Sequence, residues 1–304
     1  MQWPDLDIRL KAHRDVLRTV STQGSEHPAV REVRLGGSIS SGDADQYSDV
    51  DLVLVVEPGY LQDIWAARAS LTRTSIPTVL TLDHQWGGPG LSYSVLYQSG
   101  VLLDLTLSSE DSGGTASSFH LVSARRANAV PPVRPPAAPL LPPAPDPLQD
   151  TLLMFWLGSY IAAKYIVRND LWAAHWFLES RRKQLVRAWR LRHAAGRADW
   201  EWSKVCEDVP KTILDRLTIT PMDRALFVQA LQDLMTMMDD LGPDIAREYG
   251  TPYPATEACA VRRLVDQVLA EAPGADPLGG PHEDTEQTVA QAETPCGENP
   301  KSGR

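Results

Sequence analysis

The sequence predicts a small mixed α/β domain followed by an all-α helical bundle. Short apolar, β-branched runs alternate with helical patterns before residue 130, whereas helical patterns alone follow residue 147. Nine of the 24 prolines lie between Pro131 and Pro147, a composition typical of a semi-rigid spacer. We therefore expect four regions: an α/β domain over 1–130, a linker over 131–147, a helical bundle over 148–271 and a disordered acidic tail over 272–304.

The α/β region opens with a helix and continues with five strands. Apolar positions spaced by three or four residues from Leu6 to Val20 mark one buried helix face, and His13 lies on it. A helix is expected over Tyr60–Leu71, and Val50–Val56 is apolar enough to be a central strand covered on both faces. The expected strands are Ala29–Leu35, Val50–Val56, Pro77–Leu82, Leu91–Tyr97 and Val101–Leu107, the last two joined by a hairpin turn at 98–100.

The helical region begins with a recognisable helix start. Asp146 and Pro147 suit the N-cap and first position of a helix that runs to about Arg168. Asn169 and Asp170 then provide a turn and a second N-cap. The later helices are expected from Asp170 to about Ala194 and over Trp202–Arg216, Thr220–Asp240 and Thr256–Glu271.

Composition excludes several classes of protein. With 29 basic and 39 acidic residues the net charge is -10, so a general nucleic-acid binder is not expected, and residues 271–304 alone contribute seven acidic and two basic residues. The longest apolar stretch, residues 151–163, is too short to cross a bilayer. The chain shows no secretory signal pattern and no paired cysteine spacing, so we expect a cytoplasmic protein. Phosphate-loop, zinc-protease and serine-hydrolase motifs are also missing. The oligomeric state stays open.

The stretch LGGSISSGDADQYSDVDLVL, residues 35–54, carries the strongest chemical signal. Asp49 and Asp51 stand two apart at the start of a strand, so their side chains share a face and would repel each other without a cation. Carboxylate oxygens suit Mg²⁺. Gly36 and Gly37 allow the backbone to approach phosphate oxygens closely, and Ser38 offers a hydroxyl donor.

A third acid, Asp104, lies within the apolar strand of GVLLDLTL. A carboxylate is costly to bury alone, so a neighbouring metal or a hydroxyl to deprotonate would account for it. An acid exposed at the edge of the sheet is the alternative.

These residues resemble the nucleotidyltransferase domain of the polymerase β superfamily. Gly37, Ser38, Asp49, Asp51 and Asp104 match its pattern position by position, and DADQYSDVDL is particularly similar to small antibiotic-modifying members. The stretch KYIVRNDLWAAHWFLESRRKQLVRAW, beginning at residue 164, resembles the helical region that follows the catalytic domain in aminoglycoside nucleotidyltransferases.

The resemblance implies a catalytic first domain in an antibiotic-resistance enzyme. It would transfer a nucleoside monophosphate, most simply AMP from ATP, to a hydroxyl of a small molecule such as an aminoglycoside, releasing pyrophosphate. Asp49 and Asp51 would hold one or two Mg²⁺ ions, and Asp104 would hold the second metal or act as general base. Lys164 or Arg168, four apart on one helix face, would meet the triphosphate charge together with Gly37 and Ser38.

The acceptor is left open by the sequence. Glu179 and His175 on the next helix, and Asp83 at the end of a strand, are acceptor-site candidates, although ordinary solvated surfaces or a strand-end turn explain them equally well. A lincosamide or a metabolite hydroxyl would also fit. Two further hypotheses remain: nucleotide transfer to tRNA or to a protein, as in toxin and antitoxin pairs, and a nucleotide-binding module without activity.

Overall fold

A computed structural model describes residues 10–84, 91–109, 120–124, 146–218 and 220–271 of the chain. Within these ranges, the first part is a six-stranded mixed sheet with three helices. The strands are β1 (Val30–Leu35), β2 (Val50–Val56), β3 (Thr78–His84), β4 (Leu91–Tyr97), β5 (Leu102–Ser108) and β6 (His120–Ala124). The helices are α1 (Lys11–Glu26), α2 (Gly37–Ser41) and α3 (Leu61–Leu71).

The strands are arranged in the order β3-β4-β5-β2-β1-β6. β2 and β5 pair in parallel, whereas the other neighbouring pairs are antiparallel. The predicted central position of β2 is confirmed. The predicted hairpin after β4 is confirmed too, and Gly100 in its turn has a φ of +79°, which favours glycine. The short edge strand β6 was not predicted, since its alternating exposure leaves little apolar signal.

The C-terminal part is helical, which confirms the predicted fold class. Its helices are α4 (Pro147–Val167), α5 (Leu171–His193), α6 (Val205–Asp208), α7 (Lys211–Leu214), α8 (Arg224–Tyr249) and α9 (Ala255–Ala270). The predicted caps are present: Asp146 accepts hydrogen bonds from the amides of Leu148 and Gln149, and Asp170 accepts one from Ala173.

Two predicted helices differ from the structure. The expected helix over Trp202–Arg216 is wrong: α6 and α7 are separated at Val209, which takes an extended conformation because it precedes Pro210. The expected helix over Thr220–Asp240 starts later, where Asp223 caps α8, and continues through Pro243 to Tyr249.

The two faces of the sheet have separate hydrophobic cores. One face packs with α1 and α3, and its core includes Leu52, Trp65 and Leu105. The opposite face contributes Leu82 and Leu96 to the core of the C-terminal helices. The helical part therefore packs directly on the sheet. The division at residues 130 and 147 stays a prediction, because residues 125–145 and the tail 272–304 lie outside the described ranges.

Candidate functional site

The parallel pairing of β2 with β5 brings two of the predicted acids together. Asp51 is the direct register partner of Asp104, so both side chains lie on the sheet face that packs with the C-terminal helices. On the other side of Asp104, its β4 partner Ser94 donates a hydrogen bond to its carboxylate. The side chains of Asp51, Asp104 and Ser94, on three neighbouring strands, thus form one polar row.

Asp49 precedes β2 and is held by a cation from α4. The Lys164 ammonium forms an ion pair with Asp49 Oδ1, and the lysine side chain is only 1% exposed. The same ammonium lies 5.5 Å from the centroid of the Tyr160 ring, a cation–π arrangement. α4 therefore closes over the carboxylates and supplies a buried positive charge beside them.

The acids on β2 and β5 carry more negative charge than their surroundings favour. Burial, together with the charges of Asp49 and Asp104, raises the pKa of Asp51 to about 7. Burial and Asp49 raise the pKa of Asp104 to about 6, although Ser94 and Lys164 oppose the rise. A positively charged group would relieve this repulsion.

The donor chemistry of this carboxylate cluster, Asp49, Asp51 and Asp104, fits a hard divalent cation, since such ions prefer carboxylate oxygens. The side chains do not converge on one point: no group of three Asp, Glu, His or Cys residues in the described ranges is arranged to hold a metal ion. Asp49 is engaged instead by Lys164. The site therefore offers carboxylate groups that suit such an ion, and Lys164 contacts one of these carboxylates, that of Asp49.

Gly37 is explained by its position against Asp51. It has a φ of +62°, and a Cβ at this position would overlap Asp51 Oδ2. The Gly36 amide also donates to the Asp51 carbonyl, at 2.8 Å. The predicted glycine turn is thus fitted to the carboxylate, and Ser38 follows it on α2.

The hydroxyl of Ser38 joins the two ends of the motif by donating to Ser48 Oγ at 2.9 Å. Ser48 directly precedes Asp49, and its buried carbonyl lies 2.9 Å from His13 Nε2 on α1. Burial lowers the pKa of His13. The expected packing of His13 on the buried helix face is confirmed.

Asp45 and Ser48 are contributors that were not singled out in the sequence. Asp45 forms two hydrogen bonds with Arg168, one of them 2.8 Å from Nε to Oδ2. Burial would raise the pKa of Asp45, but the hydrogen bonds and charge of Arg168 outweigh it and hold the pKa below its ordinary value. A helix-end arginine four residues after Lys164 was the available signal for this partnership.

Asp83 is not brought to the carboxylate cluster. It pairs with Tyr93 in register, whereas Asp104 pairs with Ser94, so the alternation of side chains places Asp83 on the opposite face of the sheet. There, Arg68 of α3 binds it with two hydrogen bonds of 2.7 Å. This geometry argues against the predicted acceptor role of Asp83.

Glu179 and His175 lie on α5, and their described contacts run toward other parts of the helical region. Glu179 accepts a 2.5 Å hydrogen bond from Trp202 Nε1 and lies 3.6 Å from Arg182. His175 stacks on Phe227 of α8. Both candidates therefore contact other helical residues, on a helix whose Trp172 and Trp176 are 78% and 59% exposed.

None of the helices in the described ranges has the length and apolar character needed to cross a membrane.

Comparison with known proteins identifies the family. No curated protein sequence matches the chain. Among solved structures, an aminoglycoside 6-adenyltransferase from Bacillus subtilis is 14% identical, with a TM-score of 0.35, over 86% of this chain and 99% of its own. A family model described as streptomycin adenylyltransferase matches residues 10–268. The chain therefore belongs to the streptomycin adenylyltransferase family, nucleotidyltransferases that transfer a nucleoside monophosphate to a hydroxyl of a small molecule.

Proposed function

We propose that the protein is a Mg²⁺-dependent adenylyltransferase that transfers AMP from ATP to a hydroxyl of an aminoglycoside. The observation that carries this proposal is the register pairing of Asp51 with Asp104 beside Asp49, behind the turn at Gly37. Because ATP is a cytoplasmic co-substrate, we place the protein in the cytoplasm. Modification of the drug would make the protein an antibiotic-resistance enzyme.

Asp49 and Asp51 would hold Mg²⁺, with Asp104 as a third ligand or as the base. The bound ion would neutralise charge on the phosphate oxygens and on the departing pyrophosphate. The backbone at Gly37 and Ser38 would border the phosphates and supply hydrogen-bond donors. Lys164 would turn its positive charge toward the phosphates, since the carboxylate that it now pairs with would be engaged by the ion.

Asp104 is suited to accept the acceptor's proton. It lies between Asp51 and Ser94 in the polar row, and the hydrogen bond from Ser94 fixes one of its oxygens. The acceptor oxygen would form a bond to the α-phosphorus while the bond to the pyrophosphate oxygen breaks. The hydroxyl proton would pass to Asp104.

The acceptor is proposed to be a polycation on electrostatic grounds. The net charge of -10 attracts cationic ligands, and the partly exposed Glu179 lies on the same helix as the exposed Trp172 and Trp176, whose rings can receive ammonium groups. His175 lies on the same helix, one turn away. An acidic surface of this kind does not favour tRNA.

The test is a pyrophosphate-release assay of each nucleoside triphosphate against aminoglycosides, lincosamides and tRNA. We expect release with ATP and an aminoglycoside, and none after chelation of Mg²⁺. Glu179→Gln should raise the acceptor KM about tenfold, whereas Glu201→Gln, in an exposed pair with Lys183, should leave it unchanged. Release stimulated by tRNA alone would overturn the proposed acceptor class.

A further inference from the structure

In the loop that carries Asp49, apolar packing is limited to the partly buried Ala44 and Tyr47. Among residues 42–49, Ser48 alone is buried, and the others are exposed or half-buried. A segment with so few buried side chains depends on polar contacts for a fixed conformation. The position of Asp49 therefore depends on the hydrogen bonds around Ser48 together with its own ion pair with Lys164.

These bonds form a compact turn centred on Asp45. Its carboxylate oxygen Oδ1 accepts the Tyr47 amide at 3.0 Å and the Ser48 hydroxyl at 3.1 Å. The Asp45 amide donates in turn to Ser48 Oγ at 3.0 Å, the same atom that receives the Ser38 hydroxyl. Ser48, the residue immediately before Asp49, is thus bonded both to Ser38 of α2 and to Asp45.

Arg168 holds this turn from the end of α4. Its Nε and Nη2 both bind the Asp45 carboxylate, and Nη2 lies 3.4 Å from Ser48 Oγ. The guanidinium carbon is 5.9 Å from the ring centroids of both Tyr47 and Tyr165. A planar guanidinium that binds a carboxylate through two nitrogens has a fixed orientation, which a lysine could not reproduce.

We propose that Arg168 is a positioning residue that acts through Asp45 and Ser48 to fix the loop bearing Asp49, and that it is not a ligand of the triphosphate. The proposal rests on the proposed function, since it assigns a role to Asp49 in catalysis. The described contacts of Arg168 already use the two nitrogens that face the loop, and they point its charge at Asp45. This reassigns one of the two predicted phosphate contacts and leaves Lys164 as the other.

The two roles predict different effects of Asp45 and Arg168 variants on kcat and on the KM for ATP. If Arg168 positions the loop, Asp45→Asn and Arg168→Gln disrupt the same unit. Each should lower kcat about 10- to 100-fold, with a change in the KM for ATP of less than about threefold, and the double variant should be no worse than either single variant. If Arg168 binds phosphate, Arg168→Gln should raise the KM for ATP at least tenfold, whereas Asp45→Asn should leave it unchanged or lower it.

The experiment measures kcat and KM for ATP, and hydrogen exchange of residues 42–49 in the ligand-free protein. Asp43→Asn is the matched control, since Asp43 is exposed in the same loop. Faster exchange and a non-additive loss of kcat in the Asp45 and Arg168 variants would support the proposal. Arg168→Lys should recover little of the lost kcat, because the paired hydrogen bonds are not restored.

Unchanged exchange in folded Asp45→Asn and Arg168→Gln proteins would overturn the proposal, as would additive effects with a raised KM for ATP in Arg168→Gln alone. If either variant fails to give a native circular dichroism spectrum, Ser48→Ala replaces it, with the same expectation for exchange. Hydrogen exchange requires no substrate. A wild-type protein inactive with every nucleotide and acceptor would therefore contradict the proposed function while the exchange result still decides the role of Arg168.

Discussion

Lys164 of α4 forms a buried ion pair with Asp49, the first carboxylate of the cluster. The lysine charge thus compensates the acids in the free protein. In the proposed mechanism, a metal ion would compensate them during catalysis. Because the pair joins the helical part to the loop before β2, we expect its loss to lower the stability of the protein and to increase the stabilising effect of added Mg²⁺.

Lys164→Met should lower the free energy of unfolding by about 1–3 kcal/mol at pH 7.5, since it leaves the partly exposed Asp49 without its cation. Added Mg²⁺ should raise the Tm of this variant more than that of the wild type, because the ion replaces the missing charge. Lys183→Met removes a lysine from the exposed Glu201 pair and should change stability by less than about 1 kcal/mol. Thermal unfolding with and without Mg²⁺ measures both effects, and equal Tm shifts would contradict the expectation.

Replacing a carboxylate of the cluster should nearly abolish turnover. Asp49→Ala, Asp51→Ala and Asp104→Asn should each lower kcat at least about 100-fold while the fold remains intact, because metal ligation and proton transfer both need a carboxylate. Pyrophosphate release and circular dichroism are the measurements. Near-normal release by either Asp49→Ala or Asp51→Ala would be incompatible with the proposed mechanism.

Asp51→Asn should have a stabilising effect that depends on pH. The pKa of Asp51 is raised to about 7, against roughly 3.9 in the unfolded chain, so the unfolded state releases its proton first and stability falls as the pH rises from about 4 to about 7. The amide removes this loss. We expect the variant to gain on the order of 2 kcal/mol at pH 8 without divalent metal, and nothing at pH 4. Denaturant unfolding at both pH values tests this, and a gain equal at both would refute it.

Gly37→Ala should inactivate the enzyme through Asp51. The added methyl group would overlap the Asp51 carboxylate, and displacing a catalytic group by about 1 Å can cost about 100-fold in rate. Gly42→Ala is a matched control: its φ is +85°, equally unfavourable for alanine, but a Cβ there meets no atom within 4 Å. Comparable kcat losses in both variants would show that backbone strain, and not the overlap, is responsible.

Asp83→Asn should leave the acceptor KM unchanged. Asp83 is bound by Arg68 on the sheet face opposite the carboxylate cluster, so its loss removes a partly exposed ion pair and costs about 1 kcal/mol or less. Acceptor kinetics and thermal unfolding check the two parts. A several-fold rise in the acceptor KM would restore Asp83 to the binding site.

Periodicity predicted β2 and β4 to the residue, and the helix caps at Asp146 and Asp170, because these depend on local sequence. The grouping of Asp49, Asp51 and Asp104 into one site came from the resemblance to the polymerase β superfamily. The register of Asp51 with Asp104 could not be derived from the residues, since it depends on the parallel pairing of strands about 50 residues apart.

The unpredicted parts of the site depend on contacts between distant segments. Asp45 reads as an ordinary loop acid until α4 brings Arg168 to it across 123 positions of sequence. Asp83 was predicted near the site because it lies at the end of a strand. It pairs with Tyr93, however, the residue next to the Ser94 that pairs with Asp104, and this difference of one residue places its side chain on the other face. Side-chain identity gave the chemistry here, and pairing between distant elements decided which acids share it.

The end of the helical part lies against the loop that carries Asp49. Glu271, directly after α9, lies within hydrogen-bond distance, 3.4 Å, of the Tyr47 hydroxyl, although 224 positions separate them. Any attachment made at this end of α9, such as a purification tag or a fusion partner, would therefore be tethered beside Asp49. A tag fused directly at this point can obstruct substrate entry even in a correctly folded protein, so a variant shortened to residue 271 is best assayed without a tag at that end.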